Sequence, residues 1–179
     1  MMRKKPMLAY PVSDKPIDYD KPVFIQPKLD GVRCLIQYDA GEVTAYSRTG
    51  KEWKNIEHIK LNLLSFFDKH PNAILDGELY NHDFKDDFES IISMVRKTKP
   101  TEEDRLKSVD NVQFYCYDTI MEHMPYHDRA KFLISNLRDS YCVKFLPAWS
   151  VDSDERAKLY HQENLGAGYE GSILRTNDL

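Results

Sequence analysis

Apolar and polar positions alternate or recur with enough regularity to divide most of the chain into elements. From Pro22 to Tyr38 two β-rich runs, PVFIQPK and VRCLIQY, flank Leu29-Asp30-Gly31. An Asp-Gly pair between such runs predicts a hairpin, because glycine accepts positive φ in a tight turn. Residues 43–47, within EVTAYS, add a third strand. Over NIEHIKLNLLSFFDKH the apolar Ile56, Ile59, Leu63, Leu64 and Phe67 recur at helical spacing, with Asn55 placed to cap the start. AILDGELY reads as a buried strand ending in acids, and DFESIISMVRK as a helix with Phe88, Ile91, Ile92 and Val95 on one face. TKPTEEDRLKSVDN is charged and aperiodic, which predicts a surface loop. A strand over NVQFYCYDTI, a helix over HDRAKFLISNLRD and a short strand over KFLPAW follow. SDERAKLYHQENLG is then a helix with Ser153 near its start and Gly166 beyond its end, and GSILRT is the last strand. Residues 1–21, rich in Pro, Lys and Asp without a sustained period, read as an extended lead-in. Hairpins and meander-like strands with interspersed helices, rather than strict βαβ alternation, predict an α+β fold.

Composition narrows the class. The 179 residues are 41% hydrophobic and 12% aromatic, enough to bury a core, which excludes intrinsic disorder as the main reading. Twenty-five Lys and Arg against 29 Asp and Glu give a net charge of −4, which excludes a globally basic nucleic-acid coat but leaves room for a local basic groove. The cysteines Cys34, Cys116 and Cys142 are odd in number and set in apolar runs, as buried thiols of a reducing compartment are. No apolar run approaches the roughly 18 residues a membrane span needs, and MMRKKPM is followed by Pro and Asp where a signal peptide needs its apolar stretch. A cytoplasmic location is expected, with the basic start read as solvated charge.

The seven glycines form neither G-x-G-x-x-G nor G-x-x-x-x-G-K-[ST], so phosphate chemistry would fall to Lys, Arg and metal ions. Candidate groups cluster at strand ends. Lys28, Asp30 and Arg33 converge on one tight turn if the hairpin forms. A lysine ammonium titrates near 10.4, so attack on phosphorus requires neighbouring cations or desolvation. Arg48 and Lys51 flank a second turn in a pattern suited to phosphate. Asp76 and Glu78 stand among apolar neighbours, where a metal, a ribose hydroxyl or ordinary surface partners would satisfy them. Tyr115 and Tyr117 share a face of an aromatic strand, as a base platform or as core. Glu170 stands at a strand entrance as a metal carboxylate would. His123 and His127 are separated by Pro125, which breaks the helix that would align them on a metal, so they read as exposed loop residues.

KLDGVR, SRTGK, DGEL, FYCYD and EGSILR, in that order, resemble the successive motifs of the covalent nucleotidyltransferase superfamily. They are most similar to those of ATP-dependent DNA ligases of the small viral or phage type, and the opening Pro6-Met7-Leu8-Ala9 resembles the lead-in to the ligase adenylation domain. The resemblance covers residues 6 to 175. It implies an ATP-grasp-like nucleotidyltransferase domain with antiparallel sheets flanked by helices. Lys28 would attack the α-phosphorus of ATP, release pyrophosphate and hold AMP as a phosphoramidate. AMP would pass to the 5′-phosphate of a nick in double-stranded DNA, and the 3′-hydroxyl would then displace it.

Residue by residue, the resemblance implies that Asp30 supports the lysine and the 3′-hydroxyl side. Gln26, Arg33, Glu78 and Tyr117 would contact the nucleotide, with Glu78 on ribose or metal and Tyr117 stacked on adenine. Arg33 and Arg48 would hold sugar or nick phosphate, Lys51 would join Arg48 on phosphate or DNA, and Glu170 and Glu78 would hold Mg2+ or Mn2+. Lys4 and Lys5 are further candidates for facing DNA. Cations around Lys28 would activate it, and the domain would act as a monomer.

Two features depart from the pattern. The chain ends at Asn177-Asp178-Leu179, before the Lys-x-Lys strand and the oligonucleotide-binding barrel expected next, so a fragment of a larger ligase is expected. Position 117 is Tyr where Phe is common. RNA ligases and mRNA-capping guanylyltransferases share the lysine chemistry, and a noncatalytic nucleotide- or nucleic-acid-binding module would share the fold. Only 27 residues precede Lys28, too few for the extra domain of NAD-dependent ligases.

Overall fold

The strands on either side of Leu29-Asp30-Gly31 form, but they do not pair with each other. The computed structural model describes residues 8–10 and 16–178, so the basic start with Lys4 and Lys5 lies outside the described residues. In chain order the elements are β1 (Leu8–Tyr10), β2 (Val23–Lys28), β3 (Val32–Asp39), β4 (Glu42–Tyr46), α1 (Glu57–Asn62), α2 (Leu64–Lys69) and β5 (Ile74–Tyr80). A single 3-10 turn at His82–Phe84 precedes α3 (Phe88–Val95), α4 (Glu102–Asn111), β6 (Gln113–Thr119) and α5 (Tyr126–Asn136). The chain continues through β7 (Val143–Phe145), β8 (Trp149–Val151), α6 (Asp154–Gly166) and β9 (Gly171–Thr176). A four-stranded sheet runs β1-β9-β2-β8 and a five-stranded sheet runs β4-β3-β5-β6-β7. All pairings are antiparallel except β6 with β7.

The turn after Lys28 is therefore a crossover between sheets rather than a hairpin, and the expectation of paired strands is corrected. Gly31 serves this crossover by its size. A Cβ there would collide with the Leu79 carbonyl oxygen and come within 2.8 Å of Glu78 Cγ, so β3 can enter beside β5 only with hydrogen at that position. The true hairpin is β3–β4, turned at Ala40 and Gly41.

One face of the larger sheet carries the main core. Cys34, Ile36, Val43, Ala45, Leu75, Leu79, Phe114 and Cys116 pack against helical side chains such as Ile59, Phe67, Ile91, Val95 and Leu133. The smaller sheet buries Val23, Ile25, Val151 and Leu174 under Ala157 of α6. Between the sheets, Leu29, Tyr80, Tyr117 and Leu146 form a third cluster with Tyr115 and Tyr169 at its edge. All three cysteines are buried and free.

Four local expectations change. The helix over residues 56–69 is divided at Leu63, whose N–H is shared between the carbonyls of Ile59 and Lys60; Leu64 is then left exposed while Phe66 joins the core. Asn55 does not cap it. Its side-chain amide donates to the Met94 and Asp104 carbonyls, and its own carbonyl accepts from Ser108 Oγ. The charged segment read as a loop is the helix α4, started by a reciprocal capping box between Thr101 and Asp104. KFLPAW is split between β7 and β8, which lie in different sheets, making a second crossover. Gly166 is the last residue of α6, and Gly168 at φ +93° closes it.

The two glycine environments differ in a measurable way. Gly31→Ala is expected to destabilise the protein by about 1–3 kcal/mol through the backbone collision. Gly166→Ala, with open space around its Cβ position, is expected to stabilise it by about 0.4–1 kcal/mol. Urea unfolding of both variants against the parent checks the contrast.

Candidate active site

Strand register builds the site. β2 and β9 pair so that Lys28 lies opposite Gly171, which brings Glu170, one residue before β9, beside the lysine. Lys28 Nζ stands 3.5 Å from Glu170 Oε1, with both side chains about half exposed at the mouth of the crossover. Asp30 shares this place. Its carboxyl is raised from the ordinary range by burial first and then by the negative charge of Glu170, against the opposing pull of Lys28. A cavity of about 380 Å³ opens here between Asp30, Glu170, Tyr169, Tyr80 and Lys85.

Glu170 is placed by the end of α6. Gly168 N–H bonds the Leu165 carbonyl and Tyr169 N–H the Asn164 carbonyl, the reciprocal pair of a Schellman motif that needs positive φ at Gly168. His82 holds the following residues from the other side. Its ring stacks on Tyr169 at 4.2 Å, its Nε2 bonds the Ala167 carbonyl at 2.8 Å, and its Nδ1 bonds Tyr80 Oη at 2.7 Å. A carbonyl oxygen only accepts, so Nε2 carries the proton and Nδ1 accepts from Tyr80.

The facing wall belongs to the larger sheet. Arg33 on β3 grips Asp76 on β5 through two 2.8 Å bonds, Nε to Oδ1 and Nη2 to Oδ2. Burial alone would lower Arg33, but the Asp76 hydrogen bond and charge outweigh it and leave its pKa raised. On β6, Asp76 pairs with Asp118 but Gly77 with Cys116, so Tyr117 is the extra residue of a β-bulge. Tyr117 turns with Tyr115 toward the cleft, as their shared face predicts, and its hydroxyl donates to Glu78 Oε1 at 3.1 Å. Burial pushes the Tyr117 phenol up, so it stays a donor.

Beneath the wall lies a cluster that the sequence reading missed. Asp118, fully buried, accepts from Arg129 Nε at 2.9 Å and from Arg175 Nη1 at 3.0 Å. Arg175 Nη2 donates to Gln26 Oε1, and Gln26 Nε2 to the Leu146 carbonyl. The Arg175 guanidinium also lies 5.7 Å from the Tyr117 ring centroid and 4.8 Å from that of Tyr126. Asp118 and Arg175 sat inside the motifs FYCYD and EGSILR; Arg129, on α5, had no signal of its own in the sequence.

Lys28, Asp30 and Glu170 thus come together, as do Arg33, Glu78 and Tyr117. Gln26 is buried, its amide engaged by Arg175 and Leu146. The cations expected around Lys28 are not its neighbours: its ion pair is with Glu170, and Arg33 is paired with Asp76. Arg48 and Lys51 are exposed on the turn after β4. Lys51 Nζ lies 5.8 Å from the Trp53 ring, whose Nε1 donates to the Arg33 carbonyl, a line of contacts from that turn to the wall. His123 and His127 are exposed, with His127 within α5 rather than a loop. Among the described residues no group of three or more His, Cys, Asp or Glu side chains converges on a metal. A Mg2+ ion needs less, since it keeps several waters and takes one or two carboxylates together with substrate phosphates. Asp30 and Glu170, two hard oxygen donors within each other's field, fit that need.

Two sheets joined at a lysine-bearing turn, with a carboxylate beside the lysine and an aromatic wall opposite, make the fold of a ligase nucleotidyltransferase domain. The same fold is found in a solved structure titled Pmar-Lig_Pre, with a TM-score of 0.67 and 21% identity over 89% of this chain and 39% of that one. It recurs in the ATP-dependent DNA ligase of bacteriophage T7, with a TM-score of 0.64 and 15% identity over 90% of this chain and 61% of that one. The chain belongs to the family described as ATP dependent DNA ligase domain, whose sequence profile matches residues 6–179. It is 27% identical over 161 residues to a DNA ligase of African swine fever virus, covering 84% of this chain and 36% of that protein, so it spans about a third of that relative's length.

Two outcomes follow from the buried groups. Asp118→Asn leaves Arg129 and Arg175 without their counter-charge and is expected to cost about 3–5 kcal/mol in equilibrium unfolding. Burial pushes the Tyr115 and Tyr126 phenols up to about 12, above the ordinary 10.0. The unfolded chain then loses those protons first, so stability holds below pH 10 and declines from there to about pH 12. Tyrosinate absorbance and denaturant midpoints measured across that range check it.

Proposed function

We propose that the chain is the adenylating portion of an ATP-dependent DNA ligase, and that Lys28 carries the nucleotide. The observation that carries the reading is Lys28 and Glu170 brought together at the mouth of the crossover, across from Glu78 and Tyr117. The Lys28 Nζ lone pair forms a bond to the α-phosphorus of ATP as the bond to the bridging oxygen breaks, and pyrophosphate leaves. The ammonium must first lose a proton, and Glu170 Oε1 at 3.5 Å is placed to take it. Tyr117 offers its ring to the adenine, and Glu78 bonds the ribose. Arg33, Arg48 and Lys51 hold phosphate or sugar of the nucleic acid. Asp30 orients the lysine and the incoming 3′-hydroxyl.

A divalent ion held by Glu170 and Asp30 would neutralise charge developing on the phosphates. AMP held on Lys28 then passes to the 5′-phosphate at a nick, and attack of the 3′-hydroxyl seals the strand. The free buried thiols fit a reducing cytosol as the place of action.

The test is the intact mass of the protein after incubation with Mg2+ and ATP, GTP or NAD separately, with Lys28→Ala as control. An AMP-sized increment with ATP alone, mapped to Lys28 and absent from the variant, is expected. A GMP increment would move the reading to capping chemistry. No adduct from any nucleotide, in this chain and in one extended past Leu179, would overturn it in favour of a noncatalytic binding module.

A further inference from the structure

The ring and the hydroxyl of Tyr117 do different things. The ring alone suffices for stacking, and a phenylalanine would present the same face. The hydroxyl reaches 3.1 Å to Glu78 Oε1 on the adjacent strand. Which partner is held by this bond follows from their surroundings. Tyr117 is only 8% exposed, is fixed at a bulge, and has the Arg175 guanidinium 5.7 Å from its ring centroid. That guanidinium is itself tied to Asp118 and Gln26. Glu78 is a longer, partly exposed side chain with three rotatable bonds. The bond therefore removes freedom from the glutamate rather than from the tyrosine, and prepares a carboxylate that would otherwise have to be ordered when ligand arrives.

We infer that the Tyr117 hydroxyl is a specificity-determining group: by fixing Glu78, it sets how strongly the site prefers a nucleotide with ribose hydroxyls over one without them. The inference rests on the reading of Glu78 as the ribose carboxylate. The advantage of a fixed Glu78 goes only to a ligand that offers it a hydroxyl. A nucleotide lacking both sugar hydroxyls still stacks on the ring but gains nothing from the prepared carboxylate. Ordering one flexible side chain in advance is worth about three- to ten-fold in affinity.

Calorimetric titration without divalent ion, so that nucleotide binds without reacting, gives dissociation constants for ATP and 2′,3′-dideoxy-ATP on the parent, Tyr117→Phe, Glu78→Gln and the double variant. Their ratio on one preparation cancels any loss of folded protein. The preference for ATP is expected to fall about three- to ten-fold in Tyr117→Phe, through weaker ATP binding, and Tyr117→Phe is expected to add nothing once Glu78→Gln is present. An unchanged ratio in Tyr117→Phe, an equal loss for both nucleotides, or effects of the two substitutions that multiply would each overturn the inference while leaving the nucleotide site intact. A parent protein that binds both nucleotides equally overturns the ribose role of Glu78 and this inference together. One that binds neither overturns the nucleotide reading as well.

Discussion

Asp118 holds two guanidiniums that come from different parts of the molecule, and the cleft depends on that grip. Arg129 reaches it from α5 and Arg175 from β9 of the smaller sheet, while Asp118 itself stands on β6 of the larger one. The apolar cluster of Leu29, Tyr80 and Leu146 also lies between the sheets, but apolar contact tolerates sliding. Hydrogen-bonded charges out of water do not, because each bond is lost with small changes of angle and the exposed charge is costly. Lys28 and Glu170 on one side and Glu78 and Tyr117 on the other owe their spacing to this cluster.

The same strands carry a second constraint. Asp76 and Asp118 are register partners, two carboxylates facing each other across β5 and β6. Like charges so placed repel. Each is drawn away by its own cation, Asp76 by Arg33 and Asp118 by Arg129 and Arg175. The cleft of a net acidic domain thus spends part of its positive charge on its own framework. The cations of the Arg48–Lys51 turn stand outside that framework, on an exposed edge.

Most elements were legible in the sequence because apolar periodicity records which face is buried. Partnership was not. The Asp-Gly turn after Lys28 has the composition of a hairpin, and nothing in six residues says that the strands it joins belong to different sheets. The helix α4 was misread because its buried face is small, yet Thr101 followed by Asp104 was its visible start signal. The motifs supplied the site residues without their internal partners. Arg33 was read as a phosphate ligand, and only the structure shows its bidentate bond to Asp76. Tyr117 was read from alternation on the correct face, whereas the bulge that aims it depends on a register shift between strands some forty residues apart.

The lysine and the carboxylate beside it are separated by 142 residues, 170 minus 28, and meet only because β9 inserts between β1 and β2. That pairing closes nearly the whole chain into one loop, among the slowest kinds of contact to form. On the ribosome, where synthesis runs from the N-terminus, Lys28 emerges early and Glu170 almost last. A nascent chain therefore displays the nucleophile for most of its synthesis without the acid, the aromatic wall in its final place, or the Arg175 grip. Competence arrives with the closing strand, so an incomplete copy carries the lysine and none of its chemistry.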